Sequence, residues 1–297
     1  VKGLAITGTN ETNGAWYYTT NGGTTWTAVG SVNNTSALLL ADNGSTRLYF
    51  APSADYNGTS SAALTLRAWD QTSGSAGTKV TTASNGGTTA FSSATDTVDV
   101  TVTAVNDAPY MPGVALGSTN EDTAYTQQVS WLAGFSTDAD VGALKGLAIV
   151  SVDNSNGAWQ YTLDGTNWFN IGAVSTSNAL LLASDATSAF RFVPNADWNG
   201  ITGMLQYKAW DQTTGSAGTY VDASVSGGTT AFSGTSGSVL TVNAVNDAPV
   251  LVDTALTLTV AEDGGAPSGA AGSLLSAFTG GITDVDSGAV KGLAITG

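Results

Sequence analysis

The sequence predicts an all-β fold, a row of β-sandwich domains joined end to end. The first observation is a repeat: VKGLAITG at residues 1–8 returns unchanged at 290–297, and LKGLAIV stands at 144–150. The copies start 143 and 146 residues apart (144 − 1 and 290 − 144), and such self-similarity indicates an array of similar domains. The second observation is a series of short apolar runs bounded by Gly, Asn and Asp, typical of strands and turns. We expect the chain to be a slice through a longer array, beginning and ending within a repeat.

Short β-strands are predicted in both long repeats. In the second repeat the runs are ALLLA at 179–183, FRFV at 190–193, GMLQYKAW at 203–210 and SVLTVNA at 238–244. Their counterparts in the first lie at 37–41, 48–51, 63–69 and 98–104. In the last of these runs, polar residues alternate with Val98, Val100 and Val102. We therefore expect one face of this strand to be buried and the other to be exposed to solvent.

Two further local features complete each repeat. NGAWYYTTNGGTTW at 13–26 predicts a hairpin with its turn at Asn21-Gly22, and residues 156–168 predict the same hairpin with a turn one residue shorter. Helical periodicity is nearly absent, apart from one short turn of helix at 130–135 or 273–278. A two-sheet sandwich fits these short strands best.

The domain boundaries follow from a repeated link, AVNDAP at 104–109 and at 244–249, which is 140 residues on (249 − 109). A unit of this length is large enough to bury its own core. Residues 1–108 are predicted to be a repeat that lacks its N-terminal part. Residues 109–248 form a complete repeat, and residues 249–297 are the N-terminal part of a third.

Composition excludes several function classes. The chain has no cysteine and no histidine, which excludes disulfides, thiolate or imidazole metal sites and histidine-based catalytic triads. Its net charge is −15, from 23 acidic and 8 basic residues, so no basic stripe is available for nucleic acid. No 18-residue apolar run is present, and we expect no membrane insertion in this segment.

Carboxylates are scarce and recur at five landmarks. The landmarks are Glu-Asp at 121–122 and 262–263, Asp-x-Asp at 138–140 and 284–286, Asp-x-Asn-Gly at 55–58 and 197–200, Trp-Asp at 69–70 and 210–211, and Asn-Asp at 106–107 and 246–247. Ca²⁺ takes six to eight oxygen ligands from such side chains and from backbone carbonyls. Aspartate and asparagine also populate turns for local reasons. All five landmarks together, one of them on the link, favour a metal site.

The order of these landmarks resembles cadherin repeats, and it is most similar to the cadherin-like tandem repeats of giant bacterial surface adhesins, the extender domains of biofilm-type proteins. The resemblance covers the whole chain, and VNDAP is its most specific part. It implies Ig-like, cadherin-like Greek-key β-sandwich domains with Ca²⁺ between successive domains, stiffening a rod.

The resemblance implies two sets of Ca²⁺ ligands. At the first junction these are Asp55, Asn106, Asp107, Asp138, Asp140 and Asp211. At the second they are Glu121, Asp197, Asn246, Asp247, Asp284 and Asp286. The chain departs from cadherins in having Asp-x-Asn for Asp-Arg-Glu, and Asn-Asp-Ala-Pro for Asn-Asp-Asn-Ala-Pro. Each junction therefore loses oxygens, and we expect one or two ions per junction.

The predicted function is that of a calcium-stiffened spacer in a large secreted or cell-surface bacterial adhesin, acting in cell adhesion and biofilm formation. Its partners are neighbouring repeats of the same chain, and it is not expected to be an enzyme. One alternative is the building block of an extracellular filament, sheath or surface layer made with like chains. In that case residues 249–297 of one copy followed by 1–108 of the next complete a domain.

A second alternative is a glycan-binding module, in which Trp16, Trp26, Trp159 and Trp168 form an exposed aromatic platform. The opposing interpretation is that these rings belong to the core, because tryptophan in a β-sandwich is usually buried. TTNGGTTW at 19–26 resembles the Asp-box turn of sialidases, which stabilises a hairpin and performs no catalysis.

Overall fold

The structure is a computed structural model that describes residues 2–252, 256–260 and 262–296. It divides into two units, Val1–Asn106 (unit 1) and Asp107–Gly297 (unit 2). The division falls inside the first AVNDAP link, and residues 249–296 group with unit 2. The predicted all-β architecture is confirmed, because the described residues form sheets that are antiparallel apart from one strand pair, with one short α-helix.

Unit 1 is a two-sheet sandwich of eight strands. Its strands are β1 (Gly3–Thr9), β2 (Gly14–Thr19), β3 (Thr27–Ala28), β4 (Ala37–Ala41), β5 (Arg47–Pro52), β6 (Gly58–Trp69), β7 (Lys79–Val80) and β8 (Asp96–Val102). One sheet has the order β7-β4-β1-β6-β8 and the other the order β3-β2-β5. Their facing sides share one core, in which Ile6, Leu38 and Leu64 pack with Trp16 and Phe50. The Trp16 indole N–H also donates to the Ala63 carbonyl of the opposite sheet at 3.1 Å.

Unit 2 repeats this plan and adds elements before it. In chain order these are β9 (Ser118–Asn120), β10 (Tyr125–Gln128), α1 (Val129–Ala133), β11 (Gly146–Ser151), β12 (Gly157–Thr162), β13 (Phe169–Asn170), β14 (Ala179–Ala183), β15 (Ala189–Pro194), β16 (Gly200–Ile201), β17 (Leu205–Trp210), β18 (Tyr220–Val221), β19 (Ser236–Ser238), β20 (Thr241–Asn243), β21 (Val250–Leu251) and β22 (Ile282–Thr283). A 3₁₀ turn lies at Leu275–Ala277. Short helical turns thus form at both places where the sequence indicated one.

The sheets of unit 2 match those of unit 1 strand for strand. Sheet β18-β14-β11-β17-β19 corresponds to β7-β4-β1-β6-β8, and sheet β10-β15-β12-β13 corresponds to β5-β2-β3 with β10 added at its edge. A third sheet, β16-β20-β9, contains one parallel pair, β9 with β20. Leu147, Trp159, Phe190 and Leu132 are fully or almost fully buried in one core.

The repeated Lys-Gly-Leu-Ala-Ile segment is the central strand of each large sheet, and its pattern has a packing reason. Leu147 and Ile149 face the sandwich core, whereas Ala148 packs on the other face under a loop that carries Phe232. A Cβ on Gly146 would lie 2.7 Å from Cε3 of Trp210. The glycine therefore makes room for the Trp210 ring. Gly3 and Trp69 make the same contact in unit 1, at 2.6 Å.

Replacing Gly157 with alanine tests the sandwich packing of unit 2. The new Cβ would lie 2.4 Å from Phe192 Cζ and 2.5 Å from the Val193 carbonyl oxygen. Overpacking of this kind costs about 1–3 kcal/mol, so the melting temperature of unit 2 should fall in calorimetry. Gly172→Ala is the matched control, because no heavy atom lies within 4 Å of its Cβ. An unchanged melting temperature for Gly157→Ala would contradict the close packing of β12 on β15.

Candidate metal centre

A group of carboxylates converges where the parallel pair β9–β20 ends. Asn120 and Asn243 are partners in this pair, so both strands leave the sheet at the same edge. Glu121 follows β9 directly, and its N–H donates to the Asn243 carbonyl at 2.9 Å. The link residues 244–247 follow β20. Parallel pairing thus places the Glu-Asp landmark beside the Asn-Asp landmark, although 123 residues separate Asn120 from Asn243 (243 − 120).

Two triads of carboxylates lie close enough to share a metal ion. Oxygens of Glu121, Asp247 and Asp286 lie within 4.8 Å of one another, and so do oxygens of Asp122, Asp197 and Asp247. Asp247 belongs to both triads, so the five residues form one cluster, which we call the link cluster. Its members come from the end of β9, from the turn after β15, from the link and from the segment after β22.

Hydrogen bonds hold the ligand loops in place. The Asp247 N–H donates to Asp286 Oδ2 at 2.8 Å, and the Asp286 N–H donates to Asp284 Oδ1 at 2.9 Å. Asp284 thus positions Asp286. Asn246 donates its side-chain amide to the Asp247 carbonyl at 2.9 Å, which orients the link.

The sandwich side of the cluster is held in a similar way. Asn199 Nδ2 donates to Glu121 Oε2 at 3.1 Å, and the Asp197 N–H donates to Asp122 Oδ1 at 3.2 Å. The Val245 N–H donates to the second oxygen, Glu121 Oε1, at 2.5 Å. Asp122 and Asp197 also adopt left-handed backbone conformations, with φ of 59° and 55°, which aspartate tolerates better than most residues.

The electrostatics of the link cluster favour a bound cation. Glu121 is only 4% exposed, and burying a carboxylate without a compensating charge is costly. Desolvation raises the pKa of Asp247, and the negative charges of Asp197, Asp286, Asp122 and Glu121 raise it further. Five carboxylates with no nitrogen or sulfur ligand among them suit a hard cation that prefers oxygen.

The aspartates predicted for the first junction have the same local geometry. The Asp107 N–H donates to Asp140 Oδ2 at 2.8 Å, and the Asp140 N–H donates to Asp138 Oδ1 at 2.9 Å. Within the described part of the chain, Asp138 Oδ2 is buried and has no hydrogen-bond partner. A buried oxygen of this kind suits a cation ligand, because buried polar atoms in native structures nearly always have a partner. Asp55 and Asn106 belong to unit 1, where Asp55 is exposed in a turn with φ of 59°.

Asp211 has another role within the described residues. Its carboxylate is nearly buried, and Oδ1 accepts hydrogen bonds from the Thr213 N–H at 2.8 Å and from the Thr213 hydroxyl at 2.6 Å. Asp70 makes the same turn with Thr72 in unit 1, where these hydrogen bonds lower the pKa of Asp70. The Trp-Asp landmark thus has a local explanation, and metal ligation by Asp211 stays a prediction.

Asp122 is the member of the cluster that the sequence reasoning missed. The predicted ligands include Glu121 of the Glu-Asp landmark but not Asp122. The repetition of both residues as Glu262-Asp263 was the available signal. Asp122 and Asp263 also share their backbone conformation, with φ of 59° and 61°.

The tryptophans predicted as a glycan platform divide into buried and exposed rings. Trp16 is 5% exposed and Trp159 is fully buried, so both belong to the core. Trp168 is covered by Arg191, whose guanidinium carbon lies 4.2 Å from the ring centroid. Trp26 is 43% exposed and packs edge-on against Tyr49, with ring centroids 5.9 Å apart. Only one of the four rings is therefore substantially exposed.

Comparisons with known proteins add little. No family model matches the chain, and no curated protein matches it. Among solved structures, the CupB6 tip adhesin from Pseudomonas aeruginosa is similar over 81% of this chain and 84% of the other, at 10% sequence identity and a TM-score of 0.21. A TM-score this low carries no argument about fold or function. Within the described residues, no helix has the length and apolar character needed to cross a membrane.

Neutralising Asp247 should stabilise the metal-free protein. The pKa of Asp247 is raised above its ordinary value of 3.8, so folding is opposed increasingly as the pH rises through that raised pKa. In excess chelator at pH 7, Asp247→Asn should therefore melt at a higher temperature than the wild type. The difference should shrink as the pH falls towards 3.8, where Asp247 becomes protonated.

Thermal unfolding followed by circular dichroism over a pH series measures this effect. Asp96→Asn is the control, because Asp96 is exposed on β8 and outside the cluster. A lower melting temperature for Asp247→Asn in chelator would show that the cluster is not repulsive when free of metal.

Proposed function

We propose that this chain is a calcium-stiffened structural spacer, made of cadherin-like β-sandwich repeats, in a large secreted or cell-surface bacterial adhesin. The observation that carries the proposal is the link cluster. It gathers five carboxylates from the end of one sandwich, from the link and from the start of the next repeat. A site at that place couples cation binding to the stiffness of the link.

Calcium is the cation that suits the donor set best. The ligands are oxygens only, and most are carboxylates on loops, where the variable geometry of a seven- or eight-coordinate ion is accommodated. Mg²⁺ demands a smaller octahedral shell and keeps several waters. Extracellular modules bind Ca²⁺ with Kd of roughly 10⁻⁴–10⁻³ M. A site with an affinity in that range would be occupied only outside the cell, so the proposed location is extracellular.

The mechanical role follows from the charges. Without a cation, Asp247 and Asp286 on one side repel Glu121, Asp122 and Asp197 on the other, and the link is pushed away from the sandwich. With a cation bound, the same groups attract a common centre, and residues 244–252 are held against the ends of β9 and β20. The chemistry that Ca²⁺ supplies is charge neutralisation and cross-linking of loops. No bond of a substrate is made or broken, so we propose a non-enzymatic role.

The proposed partners are neighbouring repeats of the same chain. Asp107, Asp138 and Asp140 reproduce the hydrogen bonds of Asp247, Asp284 and Asp286, which supports the use of one type of site at successive links. The proposed biological setting is cell adhesion and biofilm formation, in which such an array spans distance. A filament, sheath or surface layer of like chains is the alternative setting.

A glycan-binding function is a second candidate with one specific observation in its favour. Tyr17, Trp26 and Tyr49 line a surface cleft of about 340 Å³ in unit 1, and Trp26 and Tyr49 are 43% and 55% exposed. Exposed aromatic rings of this kind can stack on the apolar faces of sugars. This candidate predicts retention on polysaccharide matrices in affinity electrophoresis, lost in Trp26→Ala and kept in Phe169→Ala of unit 2.

Calcium titration and small-angle scattering together test the spacer proposal. Isothermal titration should show Ca²⁺ binding with Kd of roughly 10⁻⁴–10⁻³ M. Scattering in Ca²⁺ at about 2 mM, just above that range, should give a larger maximum dimension and less flexibility than scattering in chelator. Mg²⁺ at the same concentration should produce a smaller change.

Two single substitutions distinguish the contributions of the two junctions. Asp140 belongs to the first link, so Asp140→Asn should abolish most of the Ca²⁺-dependent change in scattering. Asp286 belongs to the second link, so Asp286→Asn should remove one Ca²⁺-binding event and leave the change in scattering largely intact. Neither variant should lower the melting temperature of its sandwich in chelator, because each substitution removes a negative charge from a group of carboxylates. If the wild-type scattering profile does not change with Ca²⁺, the acidic landmarks are turn residues and the proposal is wrong.

A further inference from the structure

Unit 1 exposes an asparagine–glycine peptide whose counterpart in unit 2 begins with an aspartate. Asn43 and Gly44 lie in the turn between β4 and β5, and both residues are exposed. The corresponding turn between β14 and β15 carries Asp185 and Ala186, which are exposed as well. Since α1 packs in unit 2 without covering these two residues, the turn is accessible to solvent in both repeats.

The two turns are built in the same way around one side-chain oxygen. Asn43 Oδ1 accepts hydrogen bonds from the Ser45 N–H at 2.9 Å and from the Thr46 N–H at 2.8 Å. Asp185 Oδ1 accepts the matching bonds, from the N–H groups two and three residues further on, at 2.9 and 2.6 Å. Desolvation alone would raise the pKa of Asp185, but the hydrogen bonds lower it below its ordinary value. The turn of unit 2 therefore stabilises a carboxylate where unit 1 has an amide.

The backbone nitrogen of Gly44 is placed to react with the side chain before it. A backbone nitrogen that follows asparagine can attack the side-chain amide carbon, and glycine hinders this attack least because it has no Cβ. Within the described residues, neither the Gly44 N–H nor Asn43 Nδ2 donates a hydrogen bond. No heavy atom beyond the chain neighbours lies within 4 Å of the position that a Cβ on Gly44 would take. The attacking nitrogen and the leaving amide are therefore both unrestrained.

The donors around Asn43 Oδ1 also favour the attack. The attack makes the amide carbon tetrahedral and places negative charge on Oδ1. Besides the two backbone N–H groups, the Thr46 hydroxyl donates to this oxygen at 3.0 Å. Preorganised donors around an oxygen that gains charge lower the barrier of such a step. The groups that would hold a carboxylate afterwards thus also assist its formation.

Two other asparagine–glycine peptides of unit 1 are restrained and serve as controls. The N–H groups of Gly22 and Gly86 each donate to a backbone carbonyl at 2.8 Å. The side-chain amides of Asn21 and Asn85 donate hydrogen bonds as well, at 2.9 and 3.1 Å. At each of these peptides, the bonds of the attacking nitrogen and of the leaving amide must break before the attack. Sequence alone would not separate these peptides from the one at residues 43–44.

We propose that the Asn43–Gly44 peptide is a self-modifying site, at which the folded chain converts asparagine to aspartate without an enzyme. The Gly44 nitrogen bonds to Asn43 Cγ, the Cγ–Nδ2 bond breaks, and the proton of the nitrogen leaves with ammonia, which gives a cyclic succinimide. Water then opens the ring: attack at Cγ gives aspartate, and attack at the main-chain carbonyl gives isoaspartate. Water is the co-reactant, so the reaction does not depend on the calcium proposal.

The turn is matched to the aspartate product. Aspartate at position 43 takes the place that Asp185 has in unit 2, keeps the three donors and adds one negative charge to unit 1. Hydrogen bonds to a charged acceptor are stronger than those to a neutral one. Isoaspartate lengthens the backbone within the turn and does not fit this arrangement. Modification therefore gives unit 1 the turn chemistry that the sequence of unit 2 encodes directly.

Ageing of the purified full chain at mildly alkaline pH, followed by proteolysis and tandem mass spectrometry, measures the conversion of each asparagine. Asn43 should convert at least about tenfold faster than Asn21 and Asn85, because two hydrogen bonds must break at each control. Gly44→Ala should slow the conversion of Asn43 severalfold, since its Cβ hinders the attack. This variant should keep the wild-type melting temperature, because the space around residue 44 is open and unit 2 has Ala186 at the same place.

The outcomes decide between a self-modifying site and an inert turn. Conversion of Asn43 that is no faster than that of Asn21 and Asn85 would overturn the proposal, and so would an unchanged rate in Gly44→Ala. Asn43→Asp supplies the reference peptide that separates aspartate from isoaspartate by retention time. By circular dichroism this variant should melt at a temperature no lower than the wild type. A lower melting temperature would show that the turn does not accommodate the product, against the match with Asp185.

Discussion

Burial on both faces of the central strand is the constraint on which each sandwich depends. In β11, Leu147 and Ile149 enter the core between the sheets, and Ala148 lies beneath the loop that carries Phe232. Gly146 must lack a side chain because the Trp210 ring occupies that space. Every position of the strand thus has a required size, which explains why Lys-Gly-Leu-Ala-Ile is the best preserved segment among the three copies in this chain.

The sequence predicted the strands, the hairpins and the short helical turns, because each has a local cause. Alternating or apolar runs end at glycine and asparagine, and Asn21 and Asp164 close their hairpins with side-chain hydrogen bonds. The parallel pair β9–β20 could not be predicted in this way. Its strands are three residues each and far apart in sequence, so only tertiary packing specifies it. That pair brings Asp122 and Asp247 together, which is why Asp122 was missed.

Aspartate has two distinct roles in this chain. The recurrence of an aspartate at the same position in both repeats does not tell which of the two roles it has. Asp164, Asp185 and Asp211 each accept hydrogen bonds from the turn that follows; for Asp164, those from Asn167 hold the pKa well below its usual range. Asp247 has the opposite environment, because desolvation and then the neighbouring carboxylates raise its pKa. A carboxylate with internal donors stabilises a turn without help. One surrounded by other carboxylates gains from a cation, and this contrast separates Asp247 from the turn residues.

The segment after the second link combines both kinds of interaction. Asp286 lies beside Glu121 and Asp247 in the link cluster, whereas Leu274 and Leu275 are exposed apolar side chains. Under the proposed function the electrostatic contact depends on a bound cation, whereas apolar packing depends on the area buried and hardly on salt or chelator. Under the proposed function, calcium controls the stiffness of the links, whereas the apolar cores of the sandwiches do not depend on it. Metal removal would then loosen the joints of an array without dismantling its domains.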